Sequence, residues 1–318
     1  MKDKLIRQII CPLLAALIWG TAFVAQRVCA ESVPPFAFNA IRSVIAFLFL
    51  LLVSRAFDTS ARRRGTSVPR TDWKMLLTGG IFCGIFLSFS TNLQQVGIAN
   101  SSAGKAGFIT AFYVVLVPVF GIFLKKRAGV QVWGGVALAV AGLYLLCIQA
   151  GEGFDLQPSD FYLLLCAVFF ALQILCVDHF VQFVDGIRLS CIQFAVNAVV
   201  STALSLGFET VDWSAVQSCT WPLLYMGIGS CGVAYTLQII SQRGSNPTVV
   251  TLLFSLESVF SVLADAVLLN EVLSVREYAG CVLMFIAVVL AQIPLPQRRT
   301  HARLHPHDGD GRKNHCNP

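Results

Sequence analysis

The sequence predicts an all-α integral membrane fold in which ten transmembrane helices form two inverted five-helix repeats. Three observations carry that reading. Of the 318 residues 56% are hydrophobic and only 13% are charged, with a mean hydropathy of +0.72; a soluble domain carries roughly 25% charged residues. Ten apolar runs follow one another along the chain, most of them near the ~20 residues that cross a hydrocarbon core as helix. The last five runs repeat features of the first five in the same order.

The first run, Ile9–Val28, follows a basic opening, MKDKLIRQ. A basic start, an apolar stretch and the small residues at Val28-Cys29-Ala30 also describe a signal peptide. A later counterpart of this run argues instead for a helix that belongs to the fold. Pro34–Val53 is the second run, and a loop with Arg55, Arg62, Arg63, Arg64 and Arg70 is expected after it. Met75–Val96 and Ser101–Leu124 are the third and fourth, the latter closed by Lys125, Lys126 and Arg127. Val130–Ile148 is the fifth. An acidic, turn-rich stretch, GEGFDLQPSD, leads to Phe161–Phe180 and Ile187–Leu206, with Asp178, Asp185 and Arg188 assigned to their connection. Glu209 and Asp212 mark the next acidic loop, before Trp221–Ile240. The ninth run lies in SNPTVVTLLFSLESVFSVLADAVLLNE, Ser245 to Glu271, and the tenth is Tyr278–Ile293.

Charge orients this path. With the N-terminus inside, all of the 23 Lys and Arg except Arg27, Arg42, Lys105 and Arg276 fall in cytoplasmic segments. Glu31, Glu152, Asp155, Asp160, Glu209, Asp212, Glu271 and Glu277 fall on the other side. The positive-inside rule therefore puts both termini in the cytoplasm. The net charge of +6 is a consequence of topology, so no nucleic-acid partner is expected. The 11 cysteines form no CxxC pair and read as small apolar residues. His301, His305, His307 and His315 lie in a polar tail from Pro294. They could hold a metal, but among Gly, Pro and Asp they read as disordered, solvated chain. Neither a metal nor a cofactor is expected.

The repeat is legible as a register. Ala16 onward (ALIWGTAFVAQR) lines up with Ala167 onward (AVFFALQILCVDH) at a shift of 151, which sets Ile41-Arg42 on Ile192-Gln193. Further on the shift is 144, placing Gln94 on Gln238, Ser102 on Asn246, Tyr113 on Glu257 and Gly135 on Ala279. Five helices separate equivalent positions. Five is odd, so the second copy enters the membrane upside down. Inverted repeats of this kind place a solute site near the midplane between the copies. The expected division is residues 1–150, residues 157–293 and the tail 294–318.

Glu257 is the residue around which the candidate site is built. It sits midway along an apolar span, where an ionisable group costs about 2.5–3.5 kcal/mol and normally faces a cavity; the other reading is a structural acid bonded to a neighbouring helix. Its register partner Tyr113 is expected at matching depth on the opposite side of the site. Glu257, Ser261 and Asp265 share one face of the ninth helix, and Lys105, Ile109, Phe112, Tyr113 and Leu116 one face of the fourth. Lys105 is either a site residue or a side chain snorkelling to the interface. Pro118 is either a kink that loosens this helix or merely tolerated. Arg42 needs a carboxylate or carbonyls. Trp19, Gln94, Gln173, Gln193 and Gln238 can hold a solute or glue helices together. Gly79, Gly80, Gly84, Gly134, Gly135 and Gly142 suit close helix packing. There is no GxSxG, HExxH or Walker loop, so an enzyme is not expected, and the lack of a nucleotide-binding motif argues against a primary pump within this chain.

LIWGTAFVAQ around Trp19, NSSAGKAGFITAFYVVLVPVF from Asn100 and the Ser245–Glu271 stretch resemble the drug/metabolite transporter superfamily, within it the ten-helix EamA-type branch. The likeness runs from Ile9 to Ile293, so both repeats read as EamA-type. It implies a multi-pass transporter of the cell (inner) membrane that moves small organic metabolites, as an exporter, by alternating access. The family's buried glutamate carries over onto Glu257, and its basic or polar position in the fourth helix onto Lys105. The family's ninth helix usually reads Ser-Leu-Glu-Pro; here Ser258 takes the proline's place, so no proline breaks the helix beside the acid. The partners expected are a small-molecule solute, the lipid bilayer, protons taken up and released at Glu257, and a second copy in a homodimer. Two other classes stand against this: a non-transporting membrane receptor or structural subunit, and a membrane enzyme on lipid-linked substrates, which would need an interfacial cluster of carboxylates or histidines.

Overall fold

The computed structural model describes residues 5–30, 32–64, 72–98, 103–126, 128–148, 157–268 and 273–292. The side chains of Val24, Arg27, Val28, Arg62, Ala103, Gly104, Lys105, Asp265 and Leu268 lie outside that description, as do Glu31, Arg127, Glu271, most of the acidic stretch and the tail 294–318. Among the described residues every regular element is helical. Ten helices are long and apolar enough to cross a membrane: α1 Ile6–Phe23, α2 Pro35–Ala61, α3 Trp73–Ile98, α4 Ala106–Phe123, α5 Val130–Cys147, α6 Pro158–Phe180, α7 Gly186–Phe208, α8 Thr220–Gln242, α9 Pro247–Ala264 and α10 Val275–Gln292. The shortest have 18 residues, which at 1.5 Å per residue nearly match a hydrocarbon core about 30 Å thick. Leu52, Val199, Leu206 and Phe285 are exposed on the bundle's outside, as a lipid-facing surface requires.

Two polar stretches assigned to loops are helical instead. The second helix continues to Arg63, beyond the expected end at Val53. Its extension is tied to the start of α7, where Arg188 Nη2 donates to both Asp58 carboxylate oxygens at 2.7 and 2.9 Å. Asp178 belongs to α6, where it is buried and pairs with Lys126 of the α4–α5 link. Asp185 does lie in the α6–α7 link, and its carboxylate accepts from the Arg188 backbone N–H as the N-cap of α7.

The helices pack in pairs that the five-helix offset exchanges. α2 lies on α7 and α5 on α10, each helix against its own equivalent, while α3 on α6 is matched by α8 on α1. Small residues make these approaches close. A Cβ on Gly79 of α3 would come within 2.6 Å of Phe180 on α6, on Gly97 within 2.5 Å of Leu163 on α6, and on Gly142 of α5 within 2.9 Å of Met284 on α10. Without a hydrophobic force between helices in lipid, this close van der Waals fit is what holds them.

Two helices are broken, at equivalent places. The fourth consists of Ala103–Thr110 and Tyr113–Phe123, and the ninth of Pro247–Phe254 and Glu257–Leu268. The turn residues Ala111-Phe112 and Ser255-Leu256 are related by the shift of 144. Both turns tighten to i→i+3 bonding: Phe112 N–H donates to Ile109 O at 3.1 Å, and Leu256 N–H to Leu253 O at 3.3 Å. The ninth helix breaks without the family's proline. There the Ser255 hydroxyl donates to Leu252 O at 2.8 Å and Thr251 to Pro247 and Thr248 carbonyls, side-chain bonds of the kind that bend helices. Pro118 lies inside the second piece of α4 and not at its break.

Candidate functional site

The two breaks bring their first helical residues, Tyr113 and Glu257, together at the centre of the bundle. The Tyr113 hydroxyl donates to Glu257 Oε1 at 3.1 Å. Sequence reasoning expected these groups across the site from one another; the structure has them in contact, each as the first residue after the turn that interrupts its helix. Gly20 of α1 makes room on one side. A Cβ there would lie 2.7 Å from Glu257 O and 2.8 Å from Ser261 N, so α9 resumes directly against the α1 backbone.

A cavity opens beside this pair, and its lining follows the register of the repeat. Trp19 and Phe170, Ala22 and Gln173, and Phe23 and Ile174 are equivalent at the shift of 151, and all six line it. So do Thr91 and Tyr235, Gln94 and Gln238, Thr110 and Phe254, and Tyr113 and Glu257, equivalent at 144. The cavity therefore straddles the pseudo-symmetry axis. Counted over positions a water centre can take, its volume is about 70 Å³, room for several waters at about 10–15 Å³ each. Trp19 is held edge-on against Tyr235 and Phe254, with centroids 5.0 and 5.4 Å apart, and Phe194 packs on Tyr235 at 5.3 Å. Among the described residues the walls are thus aromatic, with amides, Arg42 and Glu257 set into them.

Of the residues singled out from sequence, Glu257, Tyr113, Trp19, Arg42, Gln94, Gln173 and Gln238 all reach the cavity. Gln193 does not line it. It stands behind Gln173 in a chain of amides: Gln238 Nε2 donates to Gln173 Oε1 at 3.1 Å, and Gln173 Nε2 to Gln193 Oε1 at 3.2 Å. The Lys105 side chain lies outside the described residues; its backbone is helical, in Ala103–Thr110. Arg42 is 4% exposed and sits over the Phe38 ring, 5.1 Å from its centroid.

Several lining residues were not foreseen. Phe170 was implicit in the register, as the partner of Trp19. Thr91, Asn197 and Gln26 gave no such signal, since a lone polar residue in a span is more often helix glue. All three do glue: Gln26 Nε2 donates to Gln95 Oε1 at 2.6 Å, and Asn197 accepts from the Thr91 hydroxyl at 3.4 Å within a buried network with Ser43, Asn92 and Ser201 that ties α2, α3 and α7 together. Ser230 and Cys231 reach the cavity from a stretch of α8, Tyr225–Ala234, wound with wider i→i+5 turns. Such windings recur at functional sites, and nothing in the local sequence announces this one.

Comparisons with known proteins agree with this architecture. A family model described as the EamA-like transporter family matches residues 6–148 and again residues 157–292. An uncharacterized transporter of Archaeoglobus fulgidus is 29% identical over 281 residues, covering 88% of this chain and 84% of that protein. The uncharacterized transporter YwfM of Bacillus subtilis is 23% identical over 295 residues, covering 91% and 95%. A solved crystal structure matches with a TM-score of 0.74 at 21% identity, over 90% of this chain and 96% of that one; at that identity the likeness speaks for the fold.

Proposed function

The chain belongs to the EamA-like transporter family, and from that premise we propose that it is a secondary exporter of small organic metabolites, working by alternating access around the central cavity. The observation that carries the proposal is the cavity's lining by seven register-related pairs, one member from each repeat. A site on the axis between inverted repeats is reached from either side when the repeats exchange conformations. Two of the lining residues without an equivalent in the cavity fit such an exchange. Gln26 and Arg42, toward the end of the bundle that carries the α1–α2 link, line the cavity, whereas their equivalents Val177 and Gln193, toward the α2–α3 end, do not. Rocking would cover the first pair and uncover the second.

In this reading Glu257 is the central group, either exchanging a proton during the cycle or pairing with a cationic part of the solute. Tyr113 orients its carboxyl through the 3.1 Å hydrogen bond. The other lining candidates, Trp19, Gln94, Gln173 and Gln238, contact the solute, and Gln193 does so only after the exchange. Lys105 remains a candidate contact through the family resemblance. The protein sits in the inner membrane with both termini in the cytoplasm, as its basic links favour.

The test is counterflow in proteoliposomes, with amino acids, nucleosides, sugars and cationic drugs as the panel and Glu257→Gln run beside wild type. Counterflow of one class, lost in the variant, is the expected result. Unchanged transport by the variant at every pH would remove the proton role. Absence of any flux across the panel would favour a receptor or structural subunit.

A further inference from the structure

Arg42 is the one cation among the described residues that line the cavity, and no described acid matches its charge. It is 4% exposed, and Nε has no hydrogen-bond partner among the described residues. No described carboxylate forms an ion pair with it. The Phe38 ring at 5.1 Å attracts the charge but offers no acceptor to the guanidinium's in-plane N–H donors. Glu257, the one acid among the described lining residues, has its Oε1 engaged by Tyr113. A second donor, Trp19 Nε1, is also buried and has no hydrogen-bond partner among the described residues. A buried arginine in a membrane protein normally pairs with a carboxylate or with backbone carbonyls, and neither hydrogen-bonds Arg42 among the described residues.

The fold itself does not demand this charge. The equivalent position in the second repeat is Gln193, a neutral amide, fully buried and hydrogen-bonded by Gln173. An arginine on one copy of a symmetric scaffold, aimed into the cavity and left without an acid, is placed for something that enters. Resting on the transport reading above, we infer that Arg42 is a carboxylate subsite and that the solutes carried are carboxylates. The planar guanidinium matches a carboxylate bidentately, which an ammonium or an amide cannot do. Two kinds of solute share that group. A zwitterionic amino acid balances the cavity's fixed charges, its carboxylate on Arg42 and its ammonium on Glu257. A simple monocarboxylate adds one negative charge and requires a proton on Glu257.

The experiment uses the full-length protein, purified in detergent and in proteoliposomes, with matched pairs of solutes: apolar amino acids and their primary amides, and monocarboxylates and theirs. Thermal stabilisation reports binding and counterflow reports transport. Wild type is expected to prefer carboxylate over amide by about 30-fold, the worth of hydrogen bonds to a charged group. Arg42→Gln, which copies the second repeat, loses the stabilisation by carboxylates and retains that by amides; Arg42→Lys is intermediate. Stabilisation without flux upholds the subsite and removes the transport reading. Equal response of wild type to acid and amide overturns the subsite, as does a full carboxylate response in Arg42→Gln or no response to any carboxylate. If Arg42→Gln does not fold, the wild-type selectivity decides. Flux of amino acids without proton movement, or of monocarboxylates with it, separates the two kinds of solute.

Discussion

Tyr113 and Glu257 occupy equivalent positions in the two repeats, each the first residue after a break in its helix, yet their surroundings differ. On the second-repeat side, α9 resumes against Gly20, so close that a Cβ would lie 2.5 Å from Phe260 Cβ. On the first-repeat side, α4 resumes against Ala171, the equivalent of Gly20, within a cluster of Tyr113, Val117, Ile174 and Leu175. Charge is divided in the same way: Arg42 in the first repeat faces neutral Gln193 in the second, and Glu257 in the second faces neutral Tyr113 in the first. The scaffold is symmetric and the chemistry is not. The repeats share matching backbone breaks and one cavity, and among the described residues each lines that cavity with one charged side chain of opposite sign.

That contrast can be broken most sharply at Gln193. Gln193→Arg puts a cation where the second repeat has a fully buried amide, and a loss of about 3 kcal/mol or more is expected from a buried charge with no acid beside it. A melting temperature equal to wild type would mean that this position tolerates charge as Arg42 does. Next comes Gly20→Ala, which overfills the α1–α9 contact and should cost about 2–3 kcal/mol; Ala171→Gly, at the equivalent site, should cost under about 1 kcal/mol. Equal melting shifts for these two would refute the tighter packing of the second repeat.

Activity separates the central pair. Glu257→Gln is expected to lower counterflow about 100-fold, equivalent to about 2.7 kcal/mol. Tyr113→Phe, which removes one hydrogen bond to the acid, should lower it about 10-fold, or about 1.4 kcal/mol. The reverse order would make the tyrosine the central group. The smallest effect is expected from Ser255→Ala, which frees the Leu252 carbonyl from the hydroxyl at the ninth-helix break. A change in stability of under about 1 kcal/mol with a measurable loss of flux is expected, if the bend positions Glu257; unaltered flux would leave the bend to packing alone.

Much of this was legible from residues alone. Glu257 stood out because one acid in a 20-residue apolar span is costly wherever that span packs. The register found its partner Tyr113, and it found Gln238 opposite Gln94. It could not tell that Gln193 would be screened by Gln173, since both amides sit inside spans and only packing separates a lining group from one behind it. Nor could it settle whether Asp178, at the end of the run Phe161–Phe180, belongs to the helix or to the connection, because a charged residue near a span's end reads as loop until Lys126 is seen beside it.

By itself the sequence determined the number of spans, the odd offset between copies and the residues related by it. Each of those follows from quantities summed along the chain: transfer cost over a window, and charge on alternate links. Only the tertiary structure decided that both helices break beside the central pair, that Tyr113 touches Glu257, and that Arg42 reaches the cavity unpaired while Gln193 does not. Those outcomes depend on which way each helix is rotated and how near its neighbour lies. Contacts between distant segments such as Gly20 and Phe260 set both, at distances where a single methyl group decides.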